Sequence, residues 1–151
     1  MAAAQTPSAS YAPIAVCQDD GVGGTSSGIT RAALTGAYVN EQPSQRTALC
    51  PILTGVATLP VHKINVVELE VVDSHAQDDL DARICYRGPG GPRVCGPWAS
   101  STGASSNPQV VSVNPPVKVT TNRTAAYLEV RFPPRIGSWA AAFFRYTVYG
   151  F

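Results

Sequence analysis

The chain has 151 residues, enough for one domain that buries roughly two thirds of its unfolded surface in a single core. Only 14% of the residues are charged and the formal net charge is +1, which argues against nucleic acid or an anionic membrane surface as a partner. No apolar run approaches the roughly eighteen residues that span a bilayer, so membrane insertion is not expected either.

Thirteen Gly and thirteen Pro, with many Ser, Thr and Val, oppose long helices and favour short strands joined by turns. Residues 1–10, MAAAQTPSAS, form a small-residue tail read as flexible or arm-like, ahead of a single domain over residues 11–151. The tail has no basic or apolar leader of its own, but its alanines are typical of residues near a cleavage site. The expectation is a secreted chain whose signal peptide has been removed. YAPIAVC, residues 11–17, reads as a first strand with Pro13 at an edge position. A turn-rich loop follows at 18–28, whose GVGG lacks the Lys of a phosphate loop. ITRAALTGAYVN, residues 29–40, suits a strand or a short helix, and Gly36 argues for two strand pieces or a bulge. TALCPIL, residues 47–53, is a short strand with a Pro that suggests an edge or bulge.

HKINVVELEVVD, residues 62–73, has the clearest pattern. Val67, Leu69 and Val71 alternate with Glu68 and Glu70, the period of two of a strand with one wet face. Ile64 and Val66 sit in the opposite phase, so a bulge is expected near Val66. An acidic loop, DSHAQDDLD, spans 73–81. Residues 82–88 and 92–98 then form a hairpin around CYRGPGGPRVC, and a polar loop leads to two short strands broken by Pro115 and Pro116. In AAYLEVRF, residues 125–132, Leu128, Val130 and Phe132 alternate with Tyr127, Glu129 and Arg131. The aromatic WAAAFFRYTVYGF at the end reads as a central strand. Roughly eight to ten short strands without an amphipathic helix predict an all-β chain: an antiparallel β-sandwich, jelly-roll-like, with an immunoglobulin-like sandwich as the alternative.

The four cysteines, Cys17, Cys50, Cys85 and Cys95, include no CxxC. Of the three pairings, local geometry favours Cys85 with Cys95, leaving Cys17 with Cys50; two disulfides imply an oxidising compartment. In the paired hairpin Arg83, Arg87 and Arg93 share the face of the sulfurs. Like charges opposite one another call for compensation, either from the acidic loop and solvent or from an anionic ligand or partner subunit.

Catalytic signals are weak. His62 and His75 have no evident catalytic partner, there is no GxSxG elbow, and no cofactor motif is present. Glu68 and Glu70, about 7 Å apart on a regular strand, have a spacing compatible with glycosidase chemistry, but alternating Glu also keeps a strand face soluble. Asp73, Asp78, Asp79 and Asp81 are a weak calcium candidate that lacks EF-hand spacing, so no metal is expected. Asn122, Arg123 and Thr124 make a sequon. Trp98 and Tyr127 are candidate ligand platforms, whereas Trp139, Tyr146 and Tyr149 suit the core.

Cys17, the Ser27-Gly28 step and Cys50-Pro51-Ile52, followed by a second Cys pair, make the chain over residues 11–97 resemble a group of small secreted bacterial β-sandwich proteins. The resemblance implies the fold and secretion and lends no activity. The expected function is therefore a non-enzymatic secreted structural or interaction protein, such as a self-assembling extracellular or coat subunit whose partner is itself. The alternative is a carbohydrate- or ligand-binding module whose partner is an extracellular surface or glycan.

Overall fold

The computed structural model describes residues 6–19, 29–32, 37–52, 64–87, 93–103, 105–116, 125–137 and 140–150. Ser27, Gly28, the GVGG stretch, His62, the sequon at Asn122, Trp139 and the hairpin tip at 88–92 lie outside these residues. The strands are β1 (Thr6–Tyr11), β2 (Gln18–Asp19), β3 (Ile29–Ala32), β4 (Ala37–Asn40), β5 (Arg46–Ile52) and β6 (Ile64–Asp73). They continue with β7 (Asp81–Arg87), β8 (Val94–Cys95), β9 (Ala99–Ser100), β10 (Gln109–Val113), β11 (Ala125–Phe132) and β12 (Ala141–Gly150). Two antiparallel sheets result. One runs β10-β6-β12-β4-β3 with β1 also on β12, and the other runs β2-β5-β11-β7-β8 with β9 also on β7. From β4 to β7, and again from β10 to β12, successive strands alternate between the sheets, which is the jelly-roll sandwich that the short alternating segments predict.

Period-two patterning sets which side chains enter the core. Val67, Leu69 and Val71 of β6 and Phe143, Tyr146 and Val148 of β12 are buried against Ala82, Ile84 and Tyr86 of β7 and Leu128, Val130 and Phe132 of β11. Phe132 and Phe143 join the layers with ring centroids 6.5 Å apart, and Tyr38 meets Phe132 edge-on at 6.0 Å. An irregularity at the start of β6 brings Ile64 into phase with Val67: Tyr149 pairs with Val66 and Gly150 with Ile64, so Asn65 is the extra residue and Ile64 and Val67 share the core, while Val66 is buried on the opposite face, outside the core cluster.

Residues 11–17 are not one strand. After β1, Pro13–Val16 form a helical turn, α1, closed by the Cys17 N–H donating to the Pro13 carbonyl at 2.8 Å. Proline suits the first helical position because its missing N–H has no helical acceptor there and its φ is preset. The turn delivers buried Cys17 to buried Cys50, and the second disulfide joins Cys85 to Cys95, residues that face each other in the β7–β8 ladder. Within the tail read as flexible or arm-like, Thr6–Ser10 are strand residues paired with β12 of the same chain. Tyr11 stacks on Tyr146 at 4.9 Å, and the Ser10 and Thr147 hydroxyls share a hydrogen bond of 2.9 Å.

Candidate functional site

At the end of the second sheet, the loop between β6 and β7 meets the loop between β4 and β5 across an open cleft of about 440 Å³ lined by Gln45, Asp78, Asp79, Asp81, Arg131, Pro133 and Pro134. Each wall is held by a buried polar anchor. Asp73, at the end of β6, accepts the His75 N–H at 3.0 Å on one oxygen and the Ser101 hydroxyl at 2.5 Å on the other. Buried His75 turns its Nδ1 back to accept the Gln77 and Asp78 N–H groups at 3.2 and 2.9 Å, so the ring acts as the hub of the loop. Gly103 packs so closely that a Cβ there would lie 2.4 Å from the His75 carbonyl oxygen. On the opposite wall, buried Asn40 donates to the Ser44 and Pro133 carbonyls at 2.9 and 3.0 Å and accepts the Gln42 N–H at 3.0 Å, fixing the path that ends at Gln45.

The cleft's charges are unevenly committed. Asp81 is bound by Arg131 at 2.8 Å and by the Ser100 hydroxyl at 2.6 Å. Asp78 and Asp79 are exposed carboxylates. Desolvation, and then the charges of Asp73 and Asp81, raise the Asp79 carboxyl above its ordinary value against an opposing hydrogen bond from the Gly103 backbone. The four aspartates weighed as calcium ligands thus take different roles: Asp73 is a buried loop anchor, Asp81 an arginine partner, and only Asp78 and Asp79 face the cleft unpaired by any cation among the described residues. Their carboxylates do not gather into a ligand set; among the described residues the group that does is Cys85, Cys95 and Glu129.

Beyond Asp81 and Arg131, the outer face of β7 and β11 carries the hairpin arginines. Glu129, opposite Arg83 in the ladder, takes Arg83 at 3.2 Å and Arg93 at 3.3 Å. The compensating charge comes from a neighbouring strand, rather than from the acidic loop, because residue pairing places Glu129 between both cations. Arg93 also lies beside the Tyr127 hydroxyl, and Arg87 is exposed at the end of β7. The Trp98 ring is half-buried under the guanidinium carbons of Arg83 and Arg131, each 4.3 Å from its centroid, so it is engaged by cations within the chain. On the first sheet, Glu70 is bound by Arg145 at 2.7 Å and held below the usual carboxylate range by that hydrogen bond, and Glu68 is hydrogen-bonded to Tyr149; neither forms a carboxylate pair.

Sequence patterning alone does not mark Gln45, Glu129, Arg131 or the two prolines as site residues. Arg131 and Glu129 appear there only as the wet phase of a strand; the available clue is the run RFPPR, in which Pro133 and Pro134 follow Phe132 and end the strand one residue after Arg131. Neither a protein-family model nor a curated protein matches the chain. Solved structures do, among them a family two carbohydrate esterase from Cellvibrio japonicus, at a TM-score of 0.50 and 10% identity over 95% of this chain. The match spans 34% of the esterase chain, about a third of its length, and it shows the fold.

Proposed function

We propose that this chain is a secreted, non-catalytic β-sandwich module that binds a carbohydrate in the cleft between Gln45 and Asp79. The observation that carries the reading is the cleft itself: carboxylates, a guanidinium and an amide converge on one open site whose walls are pinned by Asn40, Asp73 and His75. Such a set accepts and donates hydrogen bonds to sugar hydroxyls, each worth roughly 1.5–3 kcal/mol where a charged group takes part. Trp98 adjoins the site through Arg131. The sandwich shared with a carbohydrate esterase and the two disulfides support a sugar-directed extracellular setting. A glycan array followed by titration calorimetry tests the reading. At least one glycan class is expected to bind, and Asp78→Asn with Asp79→Asn should weaken it about tenfold or more without lowering the melting temperature. An array without hits ends the proposal.

Self-assembly is the second reading. Thr6–Tyr11 pair within their own chain, and among the described residues β10 is an edge strand that exposes Val110 at 57%. Light scattering on Val110→Lys against the parent chain distinguishes the two: a parent oligomer that dissociates in the variant supports assembly through this edge.

A further inference from the structure

The two disulfides sit in different surroundings. Cys17 and Cys50 are both fully buried, whereas Cys95 is half-exposed on the two-residue edge strand β8, with its partner Cys85 beneath it. Cys85 Sγ lies 3.6 Å from Glu129 Oε2, and the ligand atoms of Cys85, Cys95 and Glu129 all fall within 4.8 Å of one another. Zinc bonds of about 2.3 Å to sulfur and 2.1 Å to oxygen at a tetrahedral angle place sulfur and oxygen about 3.6 Å apart, so the carboxylate already stands where a ligand beside Cys85 would be.

We propose that reduction of the Cys85–Cys95 bond creates a site for one thiophilic divalent cation of the zinc type, with Cys85 Sγ, Cys95 Sγ and Glu129 Oε2 as ligands and water in the fourth position. A dithiol supplies the electrons. Its thiolate attacks Cys95 Sγ, the accessible sulfur; the protein S–S bond breaks and Cys85 leaves as thiolate. The second thiol of the reductant then displaces Cys95 and closes its own disulfide. Binding of the cation releases the remaining thiol protons. The strand pairing keeps the sulfurs together after the bond is cut, because Cys85 still faces Cys95 and the Gly96 N–H still donates to the Ile84 carbonyl at 2.8 Å. Arg83 holds both carboxylate oxygens, Nη2 reaching Oε1 at 3.3 Å and Oε2 at 3.2 Å and Nε reaching Oε2 at 3.3 Å, so the cation takes Oε2 as Arg83 yields its contacts there and keeps Oε1 as the outer contact that orients the carboxylate. Arg93, which reaches Oε2 at 3.3 Å with a side chain 49% exposed, gives up that contact when the cation binds and keeps its contact with the Tyr127 hydroxyl.

The site is distinct from the cleft and independent of its ligand. The experiment reduces the folded protein with dithiothreitol, maps the first thiols to be alkylated, and titrates the reduced chain with Co2+ while following the thiolate-to-cobalt charge-transfer band. Cys85 and Cys95 are expected to be labelled first, with one Co2+ bound per chain and displaced by Zn2+; the oxidised protein should show no band. Glu129→Gln, checked for folding by near-UV circular dichroism, should weaken Co2+ binding about tenfold or more. The double variant Cys85→Ser with Cys95→Ser should abolish the band. Prior labelling of Cys17 and Cys50, absence of the band after reduction, or undiminished affinity in folded Glu129→Gln would each overturn the proposal.

Discussion

Tyr86 and Tyr146 are both buried in the sandwich core, and removing the hydroxyl from each should act in opposite directions. The Tyr146 hydroxyl donates to the Pro51 carbonyl at 2.7 Å, tying β12 of one sheet to β5 of the other. The Tyr86 hydroxyl is buried without a hydrogen-bond partner among the described residues. Phenylalanine preserves the ring in both cases, so the hydrophobic contribution cancels and the polar term remains. Tyr146→Phe leaves the Pro51 carbonyl without this donor and should cost about 1–3 kcal/mol. Tyr86→Phe deletes a desolvated hydroxyl and should be neutral or stabilising by a fraction of that. For a chain of this size each kcal/mol moves the melting temperature by about 2–4 °C, so the two variants should differ by roughly 2–12 °C. Urea unfolding and calorimetry on both variants give the comparison. Equal losses, or a larger loss in Tyr86→Phe, would refute the assignment of partners. Phenolate absorbance supplies a second check: burial pushes Tyr86 up to about 12 and raises Tyr146 further, so both should ionise after the exposed phenols.

Replacing Cys85 and Cys95 by Ser should cost about 2.7 kcal/mol and replacing Cys17 and Cys50 about 3.7 kcal/mol by the chain-entropy relation, given sequence separations of 10 and 33; urea midpoints of the two double variants give the order. Leu69→Ala, a fully buried position between the sheets, should lose about 2–5 kcal/mol in the same assay. Because the folded state raises the Asp79 carboxyl, its unfavourable contribution is present at neutral pH and relieved as pH falls toward the ordinary value of 3.8. Asp79→Asn should therefore stabilise at pH 7 and match the parent at low pH, as thermal melts across that range would show. Glu70 has the opposite sign: its stabilisation is present above 4.5 and is lost as pH falls through its lowered folded value, so Glu70→Gln should flatten the acid limb slightly.

Alternation made the long strands legible. Val67, Leu69 and Val71 of β6 and Leu128, Val130 and Phe132 of β11 can be read as inward from the period of two, and the clash of phase with Ile64 and Val66 foretold the irregularity at Asn65. The helical turn at Pro13–Val16 was not legible, because an X-Pro step suits an extended edge as well as a first helical turn and only the Cys17–Cys50 bond selects between them. The charge partner of the hairpin arginines was hidden for a different reason. Glu129 is 46 residues from Arg83 and meets it through strand register, which no local pattern encodes. The cleft walls depend likewise on Asn40 reaching Pro133 across 93 residues and Ser101 reaching Asp73 across 28.

The position of β12 bears on how the chain reaches this state. It carries β6 on one side and β1 and β4 on the other, so the first sheet has no centre until residue 150 has been made. Until then β6 holds Val67, Leu69 and Val71 with one long edge unpaired, and β1 must wait across more than 130 residues for its partner. Loops of that length close slowly, which places sheet assembly after synthesis of the strand rather than during it.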